Sequence, residues 1–414
     1  MSTPAIPTWQ LRARFAAALS AMYGAEVPAY TTLVEVSEAV NRDFVAAHPE
    51  AERLGSLQRV TAERHGAIRV GSPAELADVA DLFAAFGMHP VGFYDLRDAA
   101  SPVPVVSTVF RPIDSKELAH NPFRVFTSML ATRDARFFDD DLRSRVERFL
   151  GERQLFDPDL ITQAHRIAAD GGCAAGADEE FVARAVASFA LSAEPVDRAW
   201  YGELTEVSAV AADIAGVSTT HINHLTPRVL DIDDLYRRMT DRGISMIDAI
   251  QGPPRWNGPD VLLRQTSFRA LAEPRQFREA DGTVSEGTLR VRFGEVEARG
   301  VALTRKGRER FDAAMAAPEP AAVWGDYFPD NDAEMASQGL AYYHRGDPSY
   351  PVVYEDFLPA SAAGIFRSNL DADTEAAAVV DRSGYTLDWM AEAIGHHILD
   401  PYDLYDATAQ EPPA

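Results

Sequence analysis

The sequence has almost no cysteine and no long apolar run. Its single cysteine, Cys173, excludes an intrachain disulfide and a metal site built from several thiolates. No stretch approaches the roughly 20 apolar residues that a membrane helix requires. The apolar run between Arg12 and Met22 is too short and too broken for a signal peptide, and it indicates an amphipathic first helix. We therefore expect a protein of a reducing, cytoplasmic setting.

Basic residues are also scarce. The 414 residues include 39 lysines and arginines against 63 aspartates and glutamates, which gives a net charge of −24. Such a charge repels nucleic acid and anionic membranes, so neither is an expected partner. It also opposes an anionic small substrate, so a pocket for an acid must contain its own arginines. The length predicts two or three structural units, since domains average roughly 100–200 residues.

Helical patterns dominate two regions of the chain. In residues 1–60, apolar positions recur at intervals of three and four, in Leu11–Met22 and in Leu33–Val45. Residues 119–212 contain amphipathic runs such as DDLRSRVERFLGERQLF, and we predict a helical insertion there. Residues 317–414 begin with proline- and aromatic-rich segments, which indicate an ordered, loop-rich cap.

Two stretches outside these helical regions are similar to each other. HGAIRVGSPAEL begins at His65 and HLTPRVLDIDDL begins at His224, and each has arginine four residues after its histidine. A helical stretch follows in both, and then a strand-like stretch with a Phe-Arg pair, STVFRPI in one and QTSFRAL in the other. We interpret the two stretches as a duplicated βαβββ unit, because order and spacing both recur.

The repeat defines the predicted fold. Its two modules span residues 61–118 and 213–316, and the second contains an apolar/polar alternation from Leu289 to Val296 that predicts a strand, followed by a helix, RKGRERFDAAM. We therefore predict an α+β chain in which two βαβββ modules form a metal-binding sheet core, with added helical segments and a C-terminal cap.

Candidate metal ligands follow from the repeat. A pseudo-twofold arrangement would point His65 and His224 into one space, and two imidazoles with one carboxylate, leaving positions open, suit non-haem iron(II). His221 precedes His224 by three residues and would face the other side of an extended strand, so we keep it as the alternative ligand in case of a β-bulge. Glu295 and Glu297 share a face by alternation. One of them would bind the metal and the other would orient a histidine.

At this point the residues resemble known families. Paired βαβββ modules with ligands from the first strand of each and from the last strand resemble the vicinal oxygen chelate superfamily. FGEVEAR is similar to the final strand of 4-hydroxyphenylpyruvate dioxygenase, and the match points to Glu295. The segments VTAERHGAIRVGSPAEL, NPFRVFTSML, HINHLTPRVLDIDDL, RFGEVEARGVALT and FLPASAAGIFRSNL resemble the 2-oxoadipate dioxygenase/decarboxylase family. This resemblance runs from about residue 55 to about residue 370.

The resemblance implies an activity and a cofactor. The expected reaction converts 2-oxoadipate and O2 to 2-hydroxyglutarate and CO2, a step in bacterial lysine breakdown. Iron(II) is the implied cofactor, bound by His65, one histidine of the HINH segment and Glu295. Two other functions remain as alternatives: another metal enzyme of the same superfamily, an isomerase or lyase, or a member that binds a small acid without catalysis. The sequence does not indicate the oligomeric state.

The resemblance also implies residues that bind the 2-oxo diacid. Arg69, the expected catalytic residue, would hold a substrate carboxylate beside His65, and an arginine fork is apt for this because it meets a carboxylate through two parallel hydrogen bonds. The loop PASAAG would close over the substrate, with backbone donors near Ala360 and Ser361. The remaining candidates for the pocket lie in LLRQTSFRAL, where core packing or cross-strand hydrogen bonding is an equal alternative for each: Gln265 and Ser267.

Overall fold

The fold is mixed α+β, as the sequence predicts. A computed structural model describes residues 6–98, 102–290, 292–358 and 384–413. Within these ranges, no helix combines the length and the apolar character needed to cross a bilayer.

The described residues form twelve strands. They are Ile6–Pro7 (β1), Arg64–Val70 (β2), His89–Asp95 (β3), Val105–Arg111 (β4), Arg124–Leu130 (β5), Gly172–Cys173 (β6), Val196–Asp197 (β7), His224–Pro227 (β8), Leu263–Phe268 (β9), Glu273–Arg278 (β10), Val284–Leu289 (β11) and Gly294–Arg299 (β12).

The same residues form sixteen α-helices and two short 3-10 helices. The α-helices are Thr8–Glu26 (α1), Pro28–Ala47 (α2), Leu57–Ala62 (α3), Pro73–Ala84 (α4), Ser115–His120 (α5), Asp140–Glu152 (α6), Pro158–Asp170 (α7), Asp178–Ala187 (α8), Arg198–Val207 (α9), Ala209–Ala215 (α10), Ile232–Asp241 (α11), Arg305–Met315 (α12), Pro320–Tyr327 (α13), Asp332–Ser337 (α14), Leu387–Ile394 (α15) and Pro401–Gln410 (α16). The 3-10 helices are Pro49–Leu54 and His344–Gly346.

Several helices match the sequence patterns that predict them. Helices α1 and α2 contain the two apolar repeats near the N-terminus, and α12 coincides with RKGRERFDAAM. A capping box begins α4, where the Ser72 hydroxyl accepts from the Glu75 backbone and the Glu75 carboxylate accepts from the Ser72 backbone. Gly87 and Gly243, with φ values of 65° and 75°, follow α4 and α11, because a left-handed residue after a helix is least costly for glycine.

The largest sheet among the described residues has five strands, in the order β3-β4-β5-β2-β8. In it, β2 runs parallel to β5 and antiparallel to β8, while β4 is antiparallel to β3 and β5. Strands β9 and β12 form an antiparallel pair, and a parallel bridge between Arg228 and Glu297 joins this pair to the end of β8. The strands therefore lie side by side in the order β3-β4-β5-β2-β8-β12-β9.

This order is symmetric about the seam between β2 and β8. On one side, β2 is followed along the chain by α4, β3, β4 and β5, and β5 pairs with β2. On the other, β8 is followed by α11, an extended segment bridged to β9 at Met246–Phe268 and Gln251–Gln265, then β9 and β12. Both sides repeat one order of strand, helix and three extended segments. The hairpin β10-β11, which pairs with β7, is an addition to the second side.

Three strands, β5 and the two-residue β6 and β7, lie where the sequence predicted only helices. Strand β5 falls inside residues 119–212, the predicted helical insertion, yet it pairs with β2 and β4 in the sheet. All seven of its residues are buried. A strand that is buried on both faces has no apolar/polar alternation, so its periodicity does not distinguish it from a buried helix. The boundary predicted at residue 118 thus cuts the first sheet half before its last strand.

The strand predicted from Leu289 to Val296 is interrupted in the structure. Strand β11 ends at Leu289 and β12 begins at Gly294. Between them Arg292 is buried and ion-paired with Glu273. The alternation in the sequence continues through this buried arginine, and it therefore does not reveal the break.

Strand β2 is buried on both faces. Ile68 and Val70 belong to the apolar core that also includes residues of α1, α2 and α4. His65 and Arg69 alternate with them and face the opposite side. One face of β2 therefore packs on the helices, and the other presents polar side chains to the space where β8 and β12 also contribute.

Candidate metal centre

Three buried side chains meet where β2, β8 and β12 lie side by side. The Nε2 atom of His65 is 3.2 Å from Oε1 of Glu295, and Nε2 of His224 is 3.6 Å from Oε2 of the same carboxylate. The candidate ligand atoms all lie within 4.8 Å of one another. In the part of the chain that the structure describes, this is the one such group of three or more histidine, cysteine or carboxylate side chains. The predicted set is therefore brought together.

Strand register explains why the two histidines share a face. Ala67 of β2 stands opposite His224 of β8 in an antiparallel pair, so their side chains point to the same side of the sheet. His65 lies two residues before Ala67 and points the same way. The seam between the two sheet halves thus supplies one imidazole from each half.

Glu297 orients His65. One of its carboxylate oxygens lies 2.8 Å from Nδ1 of His65, and the two oxygens accept from Arg299 at 2.7 and 2.8 Å. Burial alone would raise the pKa of Glu297, but Arg299 and His65 lower it to about 2. An ionised acceptor at Nδ1 fixes the ring and leaves Nε2 on the side of Glu295. Glu297 therefore has the supporting position and Glu295 the candidate ligand position.

His224 is held by a hydroxyl and an aromatic ring. Its Nδ1 is 3.0 Å from the Thr226 hydroxyl oxygen, and its ring stacks on Phe293 with centroids 5.0 Å apart. Burial lowers the pKa of His224 well below the ordinary value, and the charges of His65 and Arg69 act in the same direction. His224 is therefore neutral at physiological pH, which is the form that binds a metal.

The donor set suits a divalent cation. Burial opposes protonation of His65, but the carboxylates of Glu297 and Glu295 outweigh it and raise its pKa. The carboxylates thus favour a positive charge at His65, within a buried space. Two imidazoles and one carboxylate on one face are the ligands of many non-haem iron(II) sites.

Two neighbours on β9 determine the position of Glu295. The Gln265 amide donates to Oε1 of Glu295. Gly294 lets the backbone of β12 approach Phe268, because a Cβ atom there would come within 1.7 Å of that ring. Gln265, predicted to bind substrate, therefore contacts a candidate ligand of the metal. Ser267 is buried and stands opposite Glu295 in the strand pair.

Arg69 and His221 meet at a residue that the sequence reasoning missed. The Asp213 carboxylate accepts from Nη1 of Arg69 through one oxygen, and its other oxygen lies 3.1 Å from Nε2 of His221. His221, the alternative metal ligand, is thus directed to Asp213 on α10, and His224 takes the place beside His65. A single acid inside the apolar run AVAADIAG was the available signal, since a buried carboxylate requires partners.

The loop that the resemblance implies would close over the substrate is PASAAG. Ala360 and Ser361, with the PASAAG segment around them, lie outside the described residues.

Comparison with known proteins adds the family. A model of the 2-oxoadipate dioxygenase/decarboxylase family matches residues 15–369. A protein of that name from Mycobacterium tuberculosis is 75% identical over 406 residues, covering 98% of each chain. Another, from Pseudomonas putida, is 40% identical over 448 aligned positions, covering 95% of this chain and 93% of the relative.

A solved structure agrees over almost the full length. The crystal structure of the hydroxyglutarate synthase of Pseudomonas putida in complex with 2-oxoadipate is similar with a TM-score of 0.80. The two chains are 37% identical, and the match covers 98% of this chain and 96% of the other. Together with the family match, this similarity shows that the chain belongs to the 2-oxoadipate dioxygenase/decarboxylase family.

Proposed function

We propose that the protein is an iron(II)-dependent enzyme that converts 2-oxoadipate and O2 to 2-hydroxyglutarate and CO2. The observation that supports this most directly is the buried group of His65, His224 and Glu295 in a chain of this family. The relative from Pseudomonas putida, whose structure contains 2-oxoadipate, supports the choice of substrate.

The proposal includes a fold assignment. We assign the two symmetric sheet halves to the paired βαβββ modules of the vicinal oxygen chelate fold. The support is the strand order about the β2–β8 seam and the origin of the ligands, one histidine from the first strand of each half and a glutamate from the last strand.

His65, His224 and Glu295 would hold the iron and leave positions open on the other side. Bound iron(II) would supply the redox chemistry by which O2 reacts with the 2-oxo acid. In the overall reaction the first carbon of 2-oxoadipate leaves as CO2. One oxygen atom of O2 enters the new carboxylate, and the other becomes the hydroxyl group on the adjacent carbon.

The chain's own residues bind and orient the diacid. Arg69 would hold the carboxylate at the end remote from the 2-oxo group, and it supplies the local positive charge that an acidic protein needs for an anionic substrate. Gln265 would fix Glu295, and the backbone near Ala360 and Ser361 would complete the pocket. Phe357, whose ring centroid lies 4.8 Å from that of His65, helps to exclude water.

Oxygen uptake tests the proposal. The protein is purified without oxygen, loaded with iron(II) and mixed with 2-oxoadipate, and we expect uptake of O2 with release of equal amounts of CO2 and 2-hydroxyglutarate. The Glu295→Gln variant should lose activity by a factor of about 100 or more, because loss of a supporting residue alone costs about 10–100-fold in such sites.

The matched control is Glu286→Gln, which removes an exposed glutamate on β11 and should leave the rate unchanged. Absence of uptake above the Glu295→Gln level would contradict the proposal. Metal-dependent turnover without oxygen would instead indicate an isomerase or lyase.

A further inference from the structure

Asp213 is the centre of a buried polar group next to the metal-facing side of β2. It accepts from Arg69 and from the Asn223 amide at one carboxylate oxygen, and His221 lies 3.1 Å from the other oxygen. Each of the four side chains is at most 4% exposed. Burial alone would raise the pKa of Asp213, but His221 and Arg69 lower it to about 2, so the carboxylate stays charged.

The backbone around His221 is fastened to β2. The Thr220 hydroxyl donates to the carbonyl oxygen of Arg69 at 2.7 Å, and the backbone N–H of Asn223 donates to that of Ala67 at 2.9 Å. His221 lies between these two anchors. Its position relative to Arg69 is therefore set by the sheet rather than by a loose loop.

From this geometry we infer that Asp213 and His221 form a brace that fixes the guanidinium of Arg69 and thereby sets the length of diacid that the enzyme accepts. The inference rests on the proposed function, in which Arg69 holds the remote carboxylate. A guanidinium has five N–H donors in a planar fork, so contact with Asp213 through Nη1 is compatible with binding of a second carboxylate.

Two groups with fixed positions, one at each end of the pocket, determine the length of the diacid that can contact both. The metal ligands define where the 2-oxo acid end lies, and the braced arginine defines where the other carboxylate must reach. One methylene group more or less then misaligns one end, which typically changes kcat/KM by about 10–200-fold. Without the brace, the guanidinium of Arg69 could move to reach the carboxylate of a shorter diacid. The enzyme would then discriminate less between diacids of different length.

The test compares 2-oxoadipate with 2-oxoglutarate, which is one methylene shorter. We expect the preference for 2-oxoadipate, measured as its kcat/KM divided by that for 2-oxoglutarate, to fall about tenfold or more in Asp213→Asn and in His221→Ala. The iron content of both variants should equal that of wild type. Where turnover of 2-oxoglutarate is undetectable, its inhibition constant against 2-oxoadipate replaces kcat/KM. His221→Gln, whose amide can still donate to Asp213, should keep the ratio within about twofold.

A role limited to stability would lower the rate with both substrates equally and leave the ratio unchanged. The matched control is Asp134→Asn, which removes a buried aspartate paired with Arg97 and Arg136 and should not change the ratio. Unfolding midpoints of all variants establish that the proteins compared are folded. If Asp213→Asn does not fold, the comparison of His221→Ala with His221→Gln provides the reading.

Three results would overturn the brace. One is an unchanged ratio in Asp213→Asn and His221→Ala, with wild type active on 2-oxoadipate, which leaves the proposed function intact. Another is loss of iron from His221→Ala, which would make His221 a ligand. The third is a wild-type protein that neither binds nor converts 2-oxoadipate, which would also refute the proposed function.

Discussion

At the scale of single residues, each candidate ligand has a neighbour that determines its direction. Glu297 faces Nδ1 of His65, and Gln265 donates to Glu295. Such contacts reduce the side-chain freedom that metal binding would otherwise have to restrict. We therefore expect the affinity of the site for a metal to depend on residues that do not bind it.

Glu297→Gln tests this dependence. The amide has no charge to hold His65 and Arg299, so we expect the affinity for iron(II) to fall about 10–100-fold. Equilibrium dialysis against iron(II) without oxygen measures the change, with Glu286→Gln as the unaffected control. An affinity equal to that of wild type would show that Glu297 does not orient the ligand.

The sequence predicts the candidate ligands better than their surroundings. His65 and His224 follow from the repeat, and the alternation of β12 puts Glu295 and Glu297 on one side. Asp213 was missed, because its one signal is a single acid in an apolar run, and its contact with Arg69 is made by α10, which precedes the first strand of the second repeat. The direction of His221 depends on the fold of the chain before β8, which has no periodic pattern.

At the scale of elements, one glutamate joins the two sheet halves. Glu63 precedes β2 and is fully buried. Its carboxylate lies 2.8 Å from Nη1 of Arg124 on β5 and 2.9 Å from Nη1 of Arg228 after β8. Arg299 on β12 is 3.6 Å away. Three arginines, from both sides of the seam, thus lie around one carboxylate.

Glu63→Gln should destabilise the protein strongly. Removing one partner of a buried ion pair leaves uncompensated charge and typically costs about 3–5 kcal/mol. Urea unfolding measures the loss. Glu203→Gln serves as the control, because its ion pair with Arg145 is exposed and exposed pairs contribute little. A similar midpoint of urea unfolding for both variants would show that Glu63 does not stabilise the contact between the two sheet halves.

Helices with periodic patterns were predicted correctly, and the buried strands β2 and β4 were predicted from the repeat, whereas β5 was not. α2 and α12 each have one apolar face, α1 repeats apolar residues at intervals of three and four, and these patterns predict the three helices. β5 lacks that contrast, since both faces are covered. Its membership in the sheet depends on pairing with β2, a contact between distant parts of the chain that no local pattern encodes.

At the scale of the whole molecule, acidic residues exceed basic ones, yet buried arginines surround several buried carboxylates. Glu355 accepts from Arg59 and Arg124. Burial alone would raise the pKa of Glu355, but these two arginines lower it below the ordinary value of 4.5. Below that pH, Glu355 becomes protonated in the unfolded chain but stays ionised in the folded protein. The free energy of unfolding therefore decreases as the pH falls.

Glu355→Gln should therefore be less stable than wild type at neutral pH. The difference should shrink as the pH falls from neutral through the ordinary value of 4.5 into the acid range, because wild type then loses the contribution of this carboxylate. Thermal unfolding of both proteins across this range measures the effect. A difference that stays constant with pH would show that folding does not shift the pKa of Glu355.

The seam between β2 and β8 has a consequence for the history of such a chain. If the two sheet halves descend from a duplication, neither copy can diverge alone, because His65 belongs to one and His224 and Glu295 to the other. Duplication usually releases one copy from selection. Here a shared metal would keep both copies under selection. Sequence variation would then be tolerated mainly in the added elements that contribute no ligand, such as the β10-β11 hairpin.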